Sequence, residues 1–369
     1  GWTLYKSGKL TIESAAGMKA WKSLGWPNEY SKKIFSVEIE MNEDDPIKSI
    51  ERRVFEGYPN IANVTIAGSV ESIEEYAFYE CFGLKAITIP DSVSSIGRFA
   101  FAFCGKLESA KIPDSVTNIG DYVFSKCSSL SEVTIPSGLT SIENGMFQGC
   151  SSLTGITIPD GVTSIGEWSF DGCTSLTGIT LPSVVTDIKW GAFRGCAGLT
   201  GITIPARVTS IGHMAFQNCE GLESVTMLGS TPPTLGVSSS GKTAHFEGCK
   251  FKNEGTKGIK VPSGSVDTYK AAWTEWKEFI SENSAPDTPA DKDKVETAKK
   301  AVEKALADIT VSNATTQESL QSDIEKAVQD ALKAAGMDSK GVTVAVENFA
   351  KTEATTNAAG SITANIKNT

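Results

Sequence analysis

Apolar positions along this chain recur with a period of 23 residues. Phe78, Phe101, Phe124, Phe147, Phe170, Phe193 and Phe216 mark one position of the period. Cysteine follows three places after each, at Cys81, Cys104, Cys127, Cys150, Cys173, Cys196 and Cys219. A leucine column runs from Leu84 and Leu107 to Leu199 and Leu222. Behind each leucine, two apolar positions alternate with polar ones, as at Ile87 and Ile89, which predicts a half-buried strand. Pro90 and its equivalents through Pro205 end that strand, because proline lacks the N–H a ladder needs. A V-x-x-I pair, Val162 and Ile165 in one copy, predicts a second short inward-facing segment, and the Phe and Cys positions fill the remaining side. One such unit cannot bury its own apolar face. A fixed period of this length therefore predicts a solenoid whose coils share one continuous core.

The copy from Leu153 to Ser175 reads LTGITIPDGVTSIGEWSFDGCTS. Its pattern, L-x-x-I-x-I-P-x-x-V-x-x-I-G-x-x-x-F-x-x-C, resembles the leucine-rich repeat family of bacterial cell-surface proteins typified by BspA. The resemblance spans residues 1 to 280 or so. It implies a right-handed leucine-rich repeat solenoid of 23-residue β-coils, mostly β with short loops and turns. It also implies an exported protein, anchored or released at the cell surface, that adheres to host or bacterial partners. Trp2-Thr3-Leu4, Leu10-Thr11-Ile12 and the aromatic segment of Trp21, Trp26 and Tyr30 are similar to that family's N-terminal cap. Thr231-Pro232-Pro233, Val261 to Val266, and Trp273 with Trp276 are similar to its closing segment. Two coils depart from the pattern: the one beginning near Ile34 is longer, around Met41 to Pro46, and has Tyr58 in the cysteine slot. Phe246 and Cys249 keep their mutual spacing but follow a Gly/Ser-rich loop. Irregular end coils are expected where an open core must be capped.

These features divide the chain into a cap with an irregular first coil (1–60), regular repeats (61–230), an irregular last coil with its cap (231–281), a linker (282–294) and a small domain (295–369). The linker has prolines, alternating charge and no apolar period. Beyond it, Val295, Ala298, Val302, Ala305 and Ile309 have helical spacing. Thr315 and Glu318 form a capping-box pair ahead of a second helix that stops at Gly336. Val342 to Val346 and Ile362 to Ile366 alternate as strands, so a small C-terminal α+β domain is expected. It resembles a module found beside repeats in exported bacterial proteins.

A formal net charge of −10 argues against nucleic acid or an anionic membrane as the main partner. No apolar run approaches the roughly 18 residues of a membrane span. The chain opens inside a cap-like segment, and an export signal and any anchor are expected outside it. The period places successive cysteines in the same slot of coils about 4.8 Å apart. Parallel Cβ vectors suit a disulfide poorly, which favours buried thiols acting as small hydrophobes over a metal ladder; only two histidines exist. No cofactor is expected. H-E-x-x-H, G-x-S-x-G and P-loop patterns do not occur, and the acidic pairs Asp44-Asp45 and Glu74-Glu75 read as solvated rim charges, so catalysis is not expected.

Binding then falls to surfaces. The strand positions that point outward build a flat, hydroxyl-rich face from Thr134, Thr157, Thr180 and Thr203 beside Gly155, Gly178 and Gly201. It reads as a shallow platform for a glycan or an extended peptide, or else as an ordinary solvent-facing strand composition. After the Ile-Gly step, Tyr122, Trp168, Trp190 and His213 form either a second binding patch or packing over the coil edge. The expected partner is a host glycoprotein, a matrix protein or a cell-surface glycan, bound by a monomer with capped ends. The alternative is a rigid spacer in a surface glycan-handling system, with binding in the C-terminal domain.

Overall fold

The computed structural model describes residues 1–25, 29–238, 241, 244–251 and 257–283, and Lys326. Trp26 and the predicted C-terminal α+β domain, Lys326 apart, lie outside the described residues. Gly1–Asn283 form one compact unit, a β-solenoid whose coils follow the sequence period.

Each regular coil has three flanks. On the first, the V-x-x-I motif becomes a two-residue strand. Ser72–Ile73 pairs in parallel with Ser95–Ile96, and that with Asn118–Ile119. A second run continues from Ser141–Ile142 through Ser164–Ile165, Asp187–Ile188 and Ser210–Ile211 to Thr234–Leu235. The isoleucine points inward each time, so register follows from the requirement to bury it.

The second flank carries phenylalanine and cysteine. The Phe147 N–H donates to the Ser169 carbonyl at 2.8 Å and the Phe170 N–H to Ala192 at 2.8 Å, and the same bond recurs from Phe78 to Phe216. The rings stack along the solenoid with centroids 5.3 to 6.1 Å apart. Every one is fully buried, and each contributes about 1.5–3 kcal/mol of burial. Cys81 to Cys219 are buried free thiols. Each donates to the carbonyl of the phenylalanine one coil back, as in Cys150 to Phe124 at 3.2 Å and Cys173 to Phe147 at 3.2 Å.

This flank also holds a left-handed backbone slot. Tyr76, Phe99, Tyr122, Gly145, Trp168, Gly191 and Met214 occupy the same place in successive coils, with φ between 57° and 59°. A bulky residue there costs about 1–2 kcal/mol. The slot persists because its N–H is committed to the next coil, as in Tyr122 to Asn144 at 2.8 Å and Trp168 to Trp190 at 2.8 Å.

The third flank is the strand face. It pairs in parallel in three stretches: Lys9–Ile12 with Ser36–Ile39 and Asn63–Thr65; Ala86–Thr88 with Ser109–Lys111 and Glu132–Thr134; and Gly201–Ile204 with Ser224–Met227, Gly258–Val261 and Ile280–Glu282.

Both ends are closed. Trp2–Leu4 turns back antiparallel on Lys9–Ile12. Helix α1 (Ala15–Lys22) starts at Ser14, whose hydroxyl accepts from the Gly17 N–H at 3.1 Å. The helix buries Met18 and Trp21 over the first coil. Trp21 meets Trp2 at 5.1 Å, Tyr30 at 6.0 Å and Tyr58 at 6.3 Å. The large residue in the cysteine slot thus fills space under the cap. At the other end, helix α2 (Val266–Ala272) buries Tyr269, whose hydroxyl donates to the Gly229 carbonyl at 2.7 Å. The Trp273 indole donates to Pro233 at 3.0 Å.

Candidate binding surface

Thr134, Thr157, Thr180 and Thr203 all lie on the third flank and are exposed, as are Gly155 and Gly178; Gly201 is half-buried. They share one face, but the backbone beneath them is not a continuous sheet. Strand pairing was expected through every regular coil. Residues 155–157 and 178–180 form no strand. Among the described residues no main-chain hydrogen bond joins 131–135 to 154–158, or 177–181 to 200–204. Between the two middle coils the bond is from the Thr177 N–H to the Thr154 carbonyl at 3.3 Å. Gly155 and Gly178 stand opposite each other between the two middle coils. Glycine is a poor strand former, and two of them opposite each other remove the cross-strand side-chain pair that steadies a ladder. An added Cβ at either glycine would meet nothing within 4 Å.

The opening reaches the core. Val133, Ile135, Ile156 and Ile179 are partly buried, as is Val64 where pairing also stops, whereas Ile87 and Ala110 at 3 % and Ile202 at 5 % are nearly inaccessible. A shallow groove of about 470 Å³ lies between the coils, lined by Val133, Thr134, Ile135 and Ser137 on one side and Thr157, Ile158 and Pro159 on the other. Exposed carboxylates surround it: Glu132 at the start of one strand, Asp160 at the far end of the next coil, and Asp114. Asp114 accepts from the Ser137 N–H at 2.8 Å, and that hydrogen bond holds its carboxyl below the ordinary range.

The four edge residues fall into two groups. Tyr122 belongs with Tyr76 and Phe99. The three rings stack at 5.1 and 4.8 Å, with the Arg53 guanidinium 4.4 Å from Tyr76 and Arg98 4.8 Å from Phe99. The outer face of Tyr122 covers Gly145, where an added Cβ would lie 2.1 Å from the ring. Trp168 covers Gly191 in the same way, with Trp190 at 5.9 Å and Arg194 at 5.4 Å. Tyr122 and Trp168 are half-buried under these contacts. Trp190 is 42 % exposed and meets His213 at 5.7 Å; His213 is buried, 6.1 Å from the fully buried His245. His245 Nε2 lies 2.5 Å from the Gly236 carbonyl, and burial pushes its pKa down to about 4. Among the described residues no three His, Cys, Asp or Glu side chains group closely enough to hold a metal ion.

Sequence reading missed both the opening and the Tyr76–Phe99–Tyr122 ladder. The ladder was recoverable, because aromatics one period apart followed by glycine in the same slot predict rings lying over a bare backbone. The opening left a weaker trace, the consecutive glycines of the outward column.

Parallel coils of this length, with a longer strand on one flank, a two-residue strand on another and turns between them, define a leucine-rich repeat solenoid. Residues 48–161 and 140–255 match the BspA type Leucine rich repeat region, in six copies. The match covers more than half of the chain, which belongs to that family. No curated protein matches. Solved structures similar to the chain include the leucine-rich repeat protein of T. pallidum, 28 % identical over 54 % of this chain and 87 % of that one, TM-score 0.44. A leucine-rich repeat protein from Eubacterium ventriosum is 23 % identical over 71 % and 75 %, TM-score 0.43. A leucine rich cell surface protein from Faecalibacterium prausnitzii is 22 % identical over 75 % and 95 %, TM-score 0.28.

Proposed function

We propose that this chain is a non-enzymatic binding protein of the bacterial cell surface, adhesin-like, which recognises a host or bacterial macromolecule through its solenoid. The observation that carries this reading is the strand flank: a long, exposed run of Thr134, Thr157, Thr180 and Thr203 beside glycines, with a shallow groove between its coils. Such a face suits many shallow contacts with an extended ligand, such as a glycoprotein, a matrix protein or a surface glycan. Individually weak contacts become useful when many copies act together. The acidic balance of the chain disfavours nucleic acid, and the closed ends suit a monomer.

The test is to display residues 1–282 and 293–369 separately to a glycan array and to immobilised matrix proteins. Retention by the first fragment, lost in Thr157→Lys, is the expected result. Retention confined to the second fragment would overturn the reading and make the solenoid a spacer.

A further inference from the structure

Through residues 155–158 and 178–181 the third flank has no ladder, whereas in the same coils the Ser-Ile strands of the first flank stay paired from Ser141–Ile142 through Ser164–Ile165 and Asp187–Ile188 to Ser210–Ile211. Across residues 155–158 and 178–181 main-chain donors and acceptors lack ladder partners, and the inward side chains Ile156 and Ile179 are only partly covered. Glu132–Thr134 on one side and Gly201–Ile204 on the other each end a paired stretch with an open edge. The Phe/Cys flank meanwhile stays bonded through the same coils, from Phe124 to Met146 at 3.0 Å and from Phe147 to Ser169 at 2.8 Å. The coils are therefore bonded in register at one side and lack a ladder at the other, where the Thr177 N–H to Thr154 carbonyl bond joins the middle two.

An alternating row of N–H and C=O groups is matched by another backbone in extended conformation, which repeats the same groups at the same spacing. Sugar hydroxyls do not repeat that way. The half-exposed isoleucines would take apolar β-branched side chains at alternate positions of the incoming strand, while its outer positions would lie among threonines. Charge sets the ends: Glu132, Asp160 and Asp114 bracket the groove, so a strand with basic termini is complementary. We propose that the run between Glu132–Thr134 and Gly201–Ile204 binds an extended polypeptide strand, β-branched at alternate positions and basic at its ends, through main-chain hydrogen bonds. This rests on the strand flank being the binding face and names the class of partner.

The test is amide hydrogen exchange on the full chain, read by mass spectrometry, alone and with millimolar peptide of sequence Lys-Thr-Val-Thr-Val-Thr-Lys. In the free chain, residues 155–158 and 178–181 should exchange at least about ten-fold faster than 201–204, because exchange follows local opening. Peptide at ten times its dissociation constant should slow them about ten-fold by mass action. The same peptide N-methylated at alternate residues should give no protection. Gly178→Val, whose side chain has open space to enter, should weaken binding about ten-fold or more by covering the gap. Slow exchange at 155–158 in the free chain, no protection by the peptide, or equal protection by the N-methylated form would each overturn the proposal. If glycans or matrix proteins still bind the face and Thr157→Lys abolishes that, the binding-face reading survives and only the peptide strand is wrong.

Discussion

Replacing Phe170 by alanine should remove one rung of the ring stack at the middle of the solenoid. Phe170 is fully buried, with Phe147 at 5.5 Å and Phe193 at 5.3 Å, the latter pair parallel within 1°. Deleting a buried phenyl costs about 3–5 kcal/mol in transfer and cavity terms. Two ring pairs account for about 0.5–1.5 kcal/mol each of that. The loss is a large share of the roughly 5–15 kcal/mol that holds a domain together. Leucine keeps more of the volume and suits a double-mutant cycle. Phe147→Leu with Phe170→Leu should show a coupling of about 0.5–1.5 kcal/mol, because the rings touch. Phe101→Leu with Phe193→Leu, four periods apart, should be additive within about 0.5 kcal/mol. Urea unfolding followed by far-ultraviolet circular dichroism measures both. A distant pair coupled as strongly as the adjacent one would refute nearest-neighbour stacking as the source of stability, and an additive adjacent pair would refute the contribution of the rings.

Other positions make separate tests. The folded pKa of His245, about 4, lies below the unfolded value of roughly 6.5. The unfolded chain therefore takes the proton first. Stability is full above pH 6.5 or so, falls toward about pH 4 by roughly 3 kcal/mol, and levels off below. His245→Asn should flatten that part of the profile, and an unchanged slope would show the imidazole is not responsible. Burial pushes the Cys219 thiol up to about 12, and Cys81 to Cys196 are equally enclosed. Native protein should leave these thiols unmodified by iodoacetamide at mildly alkaline pH, with half-buried Cys249 reacting first and all eight reacting in concentrated guanidinium. Rapid native labelling of Cys150 would contradict the packing. Gly145→Ala should cost about 2 kcal/mol, because φ is +58° and the new methyl meets the Tyr122 ring. Gly155→Ala should stay within about 0.5 kcal/mol, and thermal melts distinguish the two.

The period, the inward faces of both strand types and the buried thiols were legible because each reflects burial repeated at a fixed register. One sequence column becomes one line of side chains, and Phe78 to Phe246 is such a line. Caps were legible from large aromatics at both ends; Trp21 and Trp273 close the core as their positions suggested. What the column pattern did not reveal depends on pairs of coils. Tyr122 stacks on Phe99 and covers Gly145 instead of joining Trp168. That choice is set by which slot holds glycine one period on. The opened strand flank likewise depends on what neighbouring coils hold: Gly201 opposite Ser224 sits in a paired strand, while Gly155 opposite Gly178 does not.

Why a solenoid tolerates such an opening follows from how its coils are joined. A globular sheet that loses pairing at its centre exposes its core on the side that faced the lost strand. Here each coil contacts its neighbours through three flanks. The left-handed slot, the Phe/Cys carbonyl bonds and the Ser-Ile strands continue past the open region; Thr163 to Thr140 and Thr186 to Thr163, each 2.8 Å, still join the same coils beyond it. The cost of parting one flank is then confined to the lost ladder bonds, about 0.5–1.5 kcal/mol each, plus the partial exposure of Ile156 and Ile179. Polar and apolar groups left unmatched across two successive coils are what an incoming extended strand would match. In these coils the flank without a ladder is thus the flank freest to bind.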